Sequence, residues 1–365
     1  MNDITYNNFS IHSVESAIDK KHFFELPSSI NKGDTNWTPQ QACDIASVFD
    51  SSKNSLQKEG LSQAWIAYSE KGIPIGRIVA FHHLGQVTKT GGIGFFECVN
   101  SQPIATALFD HSIRWLKTAG CTEVNGPMNF GEKDRYCGAL IDGHDTPSLY
   151  MDNHNPKYYQ NLFESYGFKK SEEILTLKTS HKDVPYERLV KESRLTPNYG
   201  NLVLEPLCFD HINKYAKDIH YIYTQTFKEE NRISHLSVTD IKAQLIQSRP
   251  IVSKEMVWLA YINERPVAWM ASMKDLNQKI RAEYNLPNES AINIRGMAAA
   301  VIPDHQNQGI AIQIFEKLFT YLRHAFDEYN LYYSGINAKT SNMISLAKSL
   351  NASIVKKHAI YQLDI

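Results

Sequence analysis

Between a run of apolar, strand-like residues and an amphipathic helical pattern, the chain reads IPDHQNQGIA from Ile302 to Ala311. A strand that stops in a loop of small and polar residues and restarts as a helix aims several unpaired backbone N–H groups at one spot. The positive end of the helix dipole lies there too, and together they hold phosphate. Gly309 lets a ligand approach the backbone closely, where a large side chain would block it. On the glycine alone, an ordinary strand-to-helix loop accounts for the segment as well.

Other residues could move protons. Glu97 sits in an apolar strand pattern with Phe95, Phe96 and Cys98, and a carboxylate among apolar neighbours has its pKa raised, which suits a proton acceptor. Strand alternation places Glu97 opposite Phe96 and Cys98, so it can instead face solvent or another charge. His305, beside the glycine loop, is a second titratable candidate unless it is merely solvated. A long polar excursion from Gly126 to Asp145 carries Asn129, Asp134, Arg135, Tyr136, Asp142, His144 and Asp145. Such loops either bind ligands or run over the surface without a role. The five cysteines show no CxxC spacing and the fourteen histidines no HExxH. Reduced structural thiols and no metal site are therefore expected.

The elements that must position these residues occur twice in the same order. Ala64 to Ser69 and Ile75 to His82, joined through Lys71-Gly72, read as a hairpin; Val257 to Ile262 and Pro266 to Met273, joined through Asn263-Glu264, repeat it. A third strand follows in each half, at Ile93 to Val99 and Asn293 to Ile302. Helices then run from Pro103 to about Ala119 and from Gln308 to His324, with Ile104, Leu108, Ile113 and Leu116 on the buried face of the first and Ile312, Phe315, Leu318, Phe319 and Leu322 on that of the second. Each half closes with strand, helix, strand: Glu123 to Pro127, Pro156 to Ser165 and Ile174 to Lys178, then Leu331 to Ile336, Ser341 to Ser349 and Ala359 to Leu363. The expected division is a first domain at 1–181, a linker at 182–199 with a short helix from Tyr186, and a second domain at 200–365, a duplication rather than a solenoid.

With that placement, Gln306, Gly309 and Ala311 match the pyrophosphate loop of the acyl-CoA-dependent N-acyltransferases of the GNAT superfamily, Arg or Gln, two residues, Gly, one residue, Gly or Ala. The chain resembles that superfamily in both halves. GFFECV, WLKTAG, VNGPMNF and NPKYYQNLFESYGF resemble the first half of a group of bacterial tandem GNAT-like proteins, and SLNASIVKKHAIYQL resembles its second half. The resemblance implies an α/β fold of two tandem GNAT-like domains, each a mixed, mostly antiparallel sheet flanked by helices. It also implies acetyl-CoA or another acyl-CoA as co-substrate, with acetyl transfer the expected activity, and an amine acceptor, small molecule or peptide, for which Asn129, Arg135, Tyr136 and Asp142 in the long polar excursion are the expected binding residues. Carried over residue by residue, Gln306, Asn307, Gln308, Gly309, Ile310 and Ala311 would hold the pyrophosphate. Ala299, Ala300 and Val301, with Ala298, would line the pantetheine arm, though such small residues equally suit a tight core. The first half departs from the pattern: Asn100 to Ala105 has no glycine, and Pro103 removes a donor. The family's usual acid, a Tyr four residues before a Gly-Phe pair, is also missing: Phe163 precedes Gly167-Phe168, and Ala347 precedes Asn351-Ala352. Tyr361 in the last strand, or water, could substitute, or Tyr361 could simply pack in the sheet.

Composition bounds the reading. There are 38 Lys+Arg against 39 Asp+Glu among 365 residues, no overall basic footprint for nucleic acid. The longest apolar run, Met256 to Ile262, is far short of a membrane span of about 20 residues, and MNDITYNNFS does not read as a secretory signal, so the expected address is the cytoplasm. Besides an N-acyltransferase, two other readings stand: an acyl-CoA sensor or scaffold that has lost its catalytic groups, and a tandem transferase using aminoacyl-tRNA or a long-chain acyl donor. Neutral charge speaks against tRNA.

Overall fold

Alternating and β-branched residues between turn formers produce the two hairpins, and everything else is arranged around them. A computed structural model describes residues 8–54, 57, 60–83, 89–129, 135–195, 201–226 and 237–365. In the first half, β1 (Phe9–Ser13), α1 (Ala17–Ile30) and α2 (Ala42–Val48) precede the hairpin of β2 (Gly60–Ser69) and β3 (Pro74–His83). Then follow β4 (Thr90–Cys98), α3 (Gln102–Thr118), β5 (Glu123–Gly126), β6 (Ala139–Asp142), α4 (Tyr159–Tyr166) and β7 (Lys169–Ser180). Helix α5 (Tyr186–Leu195) lies in the expected linker, whose residues 196–199 are outside the described set. The second half comprises β8 (Leu202–Pro206), α6 (Ile212–Thr226), α7 (Val238–Ser248), β9 (Val257–Ile262), β10 (Arg265–Lys274), α8 (Asn277–Glu283), β11 (Ile292–Val301), α9 (Ile310–Ala325), β12 (Tyr329–Asn337), α10 (Ser341–Ser349) and β13 (Ser353–Asp364). The β9–β10 turn places Asn263 and Glu264 at φ 48° and 65°, the left-handed pair a two-residue hairpin requires.

Among the described residues one sheet runs β1-β2-β3-β4-β5-β13-β7-β12-β11-β10-β9-β8, with β6 paired to β13 beside this path. Helices cover both faces. In the first half α3 and α4 bury Ile104, Leu108, Phe109 and Phe163 against one face, and α1 and α2 bury Phe23 and Ile45 against the other. In the second, α9 buries Ile310, Ile314, Phe315, Leu318, Phe319 and Leu322 on one face, and α6 and α7 bury Tyr215, Ile219, Ile241 and Leu245 on the other. Ile312, expected inward on α9, is only partly buried, because the helix begins at Ile310 and its stripe is set by Ile310, Ile314 and Leu318.

The halves are joined by exchanged strands. β13 pairs antiparallel with β5, Tyr361 opposite Gly126, so a strand of the second half extends the first half's sheet. β7 pairs antiparallel with β12, Tyr333 opposite Leu177, and so extends the second half's sheet. β7 and β13 also pair with each other, from Ser353 opposite Lys178 to Gln362 opposite Lys169.

Candidate functional site

Two parallel strand pairs lie at matching positions, β4 with β5 and β11 with β12, and each pair parts partway along. The β11–β12 ladder runs from Ile292 opposite Tyr329 to Gly296 opposite Tyr333 and stops, while β11 continues to Val301 along β10. Beyond that point Gly296, Met297, Ala298 and Ala299 are partly exposed, as are Ser334 and Gly335 on β12. Both strands are therefore reachable by solvent where they diverge. The β4–β5 ladder likewise stops at Gly92 opposite Asn125, but there β4 is buried to its end at Cys98. The chain following β5 fills that gap: the Met128 N–H donates to the Ile93 carbonyl at 2.8 Å, and a Cβ on Gly94 would lie 1.8 Å from the Met128 carbonyl oxygen. Counted from the last rung, the residue matching Gly94 is Ala298, where the second half tolerates a side chain.

β11 leads on to the glycine loop. Gly309 sits at φ 81° as N-cap of α9, after Asn307 at φ 58°. The first α9 hydrogen bond is Gln313 N–H to the Gly309 carbonyl at 3.1 Å. The N–H groups of Ile310, Ala311 and Ile312 precede it and have no partner within the helix. Gly309 brings no side chain to cap them. The loop is braced from within: the Gln306 side-chain amide donates to the Val301 carbonyl at 3.0 Å, that of Gln308 to the Asp304 carbonyl at 2.9 Å, and His305 Nδ1 lies 3.3 Å from Gln308 Oε1. A glycine-capped helix start beside diverging strands is a geometry that can hold a phosphate.

The structure keeps two expected proton carriers away from this gap. Glu97 is buried in the first half, 3.7 Å from Arg77 Nη2 and accepting the Tyr159 hydroxyl at 2.6 Å. Both faces of β4 are covered by helices, so of the two alternatives, solvent or another charge, Glu97 meets the charge. Burial pushes the Glu97 carboxyl above the usual carboxylate range, with Arg77 and Tyr159 pulling it back. Tyr361 is fully buried, stacked on Phe163 at 5.1 Å, its hydroxyl 3.5 Å from Glu164. Because β13 extends the first half's sheet, Tyr361 belongs to that half's core and lies apart from Gly309. His305 alone of the three stands at the loop.

Of the expected acceptor residues, Asn129, Arg135 and Tyr136 come together: the Asn129 amide donates to the Arg135 carbonyl, and the Tyr136 N–H donates to the Met151 carbonyl at 2.6 Å. Asp142 points away, exposed and 3.4 Å from Lys357. Phe130 and Asp134 lie outside the described residues. The stretch just beyond the expected excursion crosses to the second half. The Tyr150 N–H donates to Asp275 Oδ1 at 2.8 Å, Asn277 donates to the Ser148 carbonyl at 2.8 Å, and Arg281 reaches Thr38 Oγ1 at 3.1 Å. Asp275 is buried there, and desolvation raises its pKa to about 6. Between the halves, Tyr136, Tyr150, Asp152 and Asn277 line a cavity of about 10 Å³, the size of about one water.

Sequence reasoning did not single out Asp152, Arg295 or Ser334. Arg295 Nη2 donates to Asp152 Oδ1 at 2.7 Å, and its Nε donates to Ser334 Oγ at 3.0 Å. A lone arginine inside the apolar strand NIRGMAAAV was the available signal. Among the described residues no group of His, Cys, Asp and Glu could hold a metal ion, and no helix is long and apolar enough to cross a membrane.

No family model matches the chain. Two curated relatives align over 76% of it: Protein YghO of Escherichia coli, 24% identical over 71% of that protein, and the bacterial ceramide synthase of Caulobacter vibrioides, 21% identical over 73%. Among solved structures, the tandem GNAT protein from the clavulanic acid biosynthesis pathway superposes with a TM-score of 0.60 over 98% of both chains at 11% identity. A GCN5-related N-acetyltransferase from Sphaerobacter thermophilus does so with a TM-score of 0.56 over 98% of this chain and 96% of that one, also at 11% identity. With its repeated order of elements and its paired diverging strands, the chain therefore has a tandem GNAT fold.

Proposed function

We propose that the protein is an acyl-CoA-dependent N-acyltransferase whose donor site lies in the second half. One observation carries this reading: past their last rung β11 and β12 are partly exposed and β11 runs on toward the glycine-capped start of α9, whereas between β4 and β5 the same place is filled by Met128. In this reading Ile310, Ala311 and Ile312 offer N–H groups to the pyrophosphate, with Gln306, Asn307, Gln308 and Gly309 shaping the loop. Ala298, Ala299, Ala300 and Val301 flank the pantetheine arm, and one backbone N–H of β11 past Gly296 polarises the thioester carbonyl.

The chemistry balances without a metal or redox partner. A neutral amine attacks the carbonyl carbon, a C–N bond forms, the C–S bond breaks, the ammonium proton leaves to water or a base, and the thiolate takes a proton. With Glu97 and Tyr361 serving the first half's core, His305 and water are the carriers beside the loop. Within this function a long acyl chain is favoured over acetyl by one finding, the relative named bacterial ceramide synthase.

Thermal shift with CoA and with acyl-CoAs from acetyl to long-chain tests the reading. CoA raises the melting temperature of the wild type, and Gly309→Glu, which places bulk and charge at the pyrophosphate, abolishes the rise while the protein still unfolds cooperatively. Absence of any shift with every acyl-CoA sinks the proposal. Thiol release across an amine panel then separates an enzyme from a sensor.

A further inference from the structure

The gap between β11 and β12 has a latch at its apex, and the latch is operated from the other half. Gly296 and Tyr333 form the last rung of the parallel ladder, so Ser334 is the first β12 residue without a rung. Its hydroxyl donates to the Gly296 carbonyl at 3.2 Å, a side-chain bond in place of the next backbone bond. A hydroxyl that donates there can only accept elsewhere, and it accepts Arg295 Nε–H at 3.0 Å. Arg295 is 3% exposed and is a planar fork whose orientation is fixed once two of its nitrogens are engaged. The second engagement is Nη2 with Asp152 Oδ1 at 2.7 Å, on the first half's loop. That loop is anchored to the second half by the bonds of Tyr150 to Asp275 and of Asn277 to Ser148.

We propose that Asp152, Arg295 and Ser334 are positioning residues for the acyl donor: the first half, whose own gap is plugged, sets the apex of the second half's gap through this directional chain. It follows that the half without a phosphate loop is needed for donor binding although it touches no part of the donor. This rests on the donor-site reading above. The partly exposed Gly296 to Ala299 segment lies immediately past the apex, so rotation of the Ser334 hydroxyl away from Gly296 frees β11 and β12 to spread where the pantetheine arm passes.

The test must separate positioning from mere support. Removing one partner of a buried ion pair destabilises strongly, whereas replacing both by apolar residues is often neutral. Full-length wild type, Asp152→Asn, Ser334→Ala and the double variant Asp152→Leu/Arg295→Met are compared for CoA affinity by calorimetry and for amide exchange at Met297 to Ala300, at a temperature where each is folded. The expected result is at least tenfold weaker CoA binding and faster exchange at those amides in all three variants, including the double variant whose melting temperature recovers toward wild type. CoA binding within twofold of wild type in the double variant and in Ser334→Ala overturns the proposal while leaving the donor site in place. No CoA binding by the wild type overturns both. If Asp152→Asn does not fold, Ser334→Ala, at a half-exposed position, carries the decision.

Discussion

Substituting Gly94 by Ala tests why only one half can bind a donor. The new Cβ would sit 1.8 Å from the Met128 carbonyl oxygen and 2.8 Å from its carbonyl carbon. Neither is the end of a flexible side chain, so the Pro127 to Asn129 backbone must move by more than an ångström. That movement breaks the buried 2.8 Å bond from Met128 N–H to Ile93. Overpacking costs about 1–3 kcal/mol, and leaving buried backbone groups unpaired about as much again, for a sum of roughly 2–6 kcal/mol. Differential scanning calorimetry should then show a fall of roughly 4–24 °C in the unfolding transition. The control is Gly296→Ala, whose Cβ meets only the Tyr332 oxygen at 3.3 Å; its cost is about 1 kcal/mol. Calorimetric titration of the wild type should give one CoA per chain. A Gly94→Ala protein within 1 °C of wild type, or two CoA per chain, refutes the view that Met128 plugs the first gap.

Three further outcomes follow from the buried charges. Glu97→Gln leaves Arg77 charged and poorly partnered in the first half's core, so urea unfolding should show a loss of about 3–5 kcal/mol, while kcat per folded molecule stays within twofold of wild type. Lys356 is held at about 8 by burial among the Gly143 and Thr146 carbonyls. The unfolded chain thus binds more protons between about pH 8 and the lysine's ordinary 10.5, and this residue makes stability rise across that window. Lys356→Met should flatten that part of the urea midpoint profile. Asp275 is raised to about 6, so here the folded state binds more protons. Its contribution falls as pH rises from about 4 to 6, and Asp275→Asn should remove that slope.

Local physics made much of the fold legible. VWLAYI, Asn263-Glu264 and PVAWMASM are a hairpin because β-branched and aromatic residues flank two positions able to take positive φ. Gly309 was readable because a strand, a glycine and a helical stripe follow one another without interruption. What the sequence withheld was pairing over long separations. Ala359 to Leu363 reads as a strand, but nothing local says that it crosses to β5 and carries Tyr361 into the first half's core. Asp152 and Arg295 are 143 residues apart, and neither carries a local pattern that names the other. Alternation did place Glu97 opposite Phe96 and Cys98, and with helices on both faces of β4 it meets another charge, Arg77, rather than solvent.

The exchanged strands bear on how the polypeptide is made. Domains usually fold as units during synthesis, amino-terminal part first. Here β5 has no neighbour on one side until β13 arrives, and the ribosome delivers β13 only after all the other strands of the second half. Until then the first half carries an open sheet edge of the kind that pairs with stray strands. Its completion, and with it the docking of the loop that holds Asp152, is deferred to the close of translation of the second half.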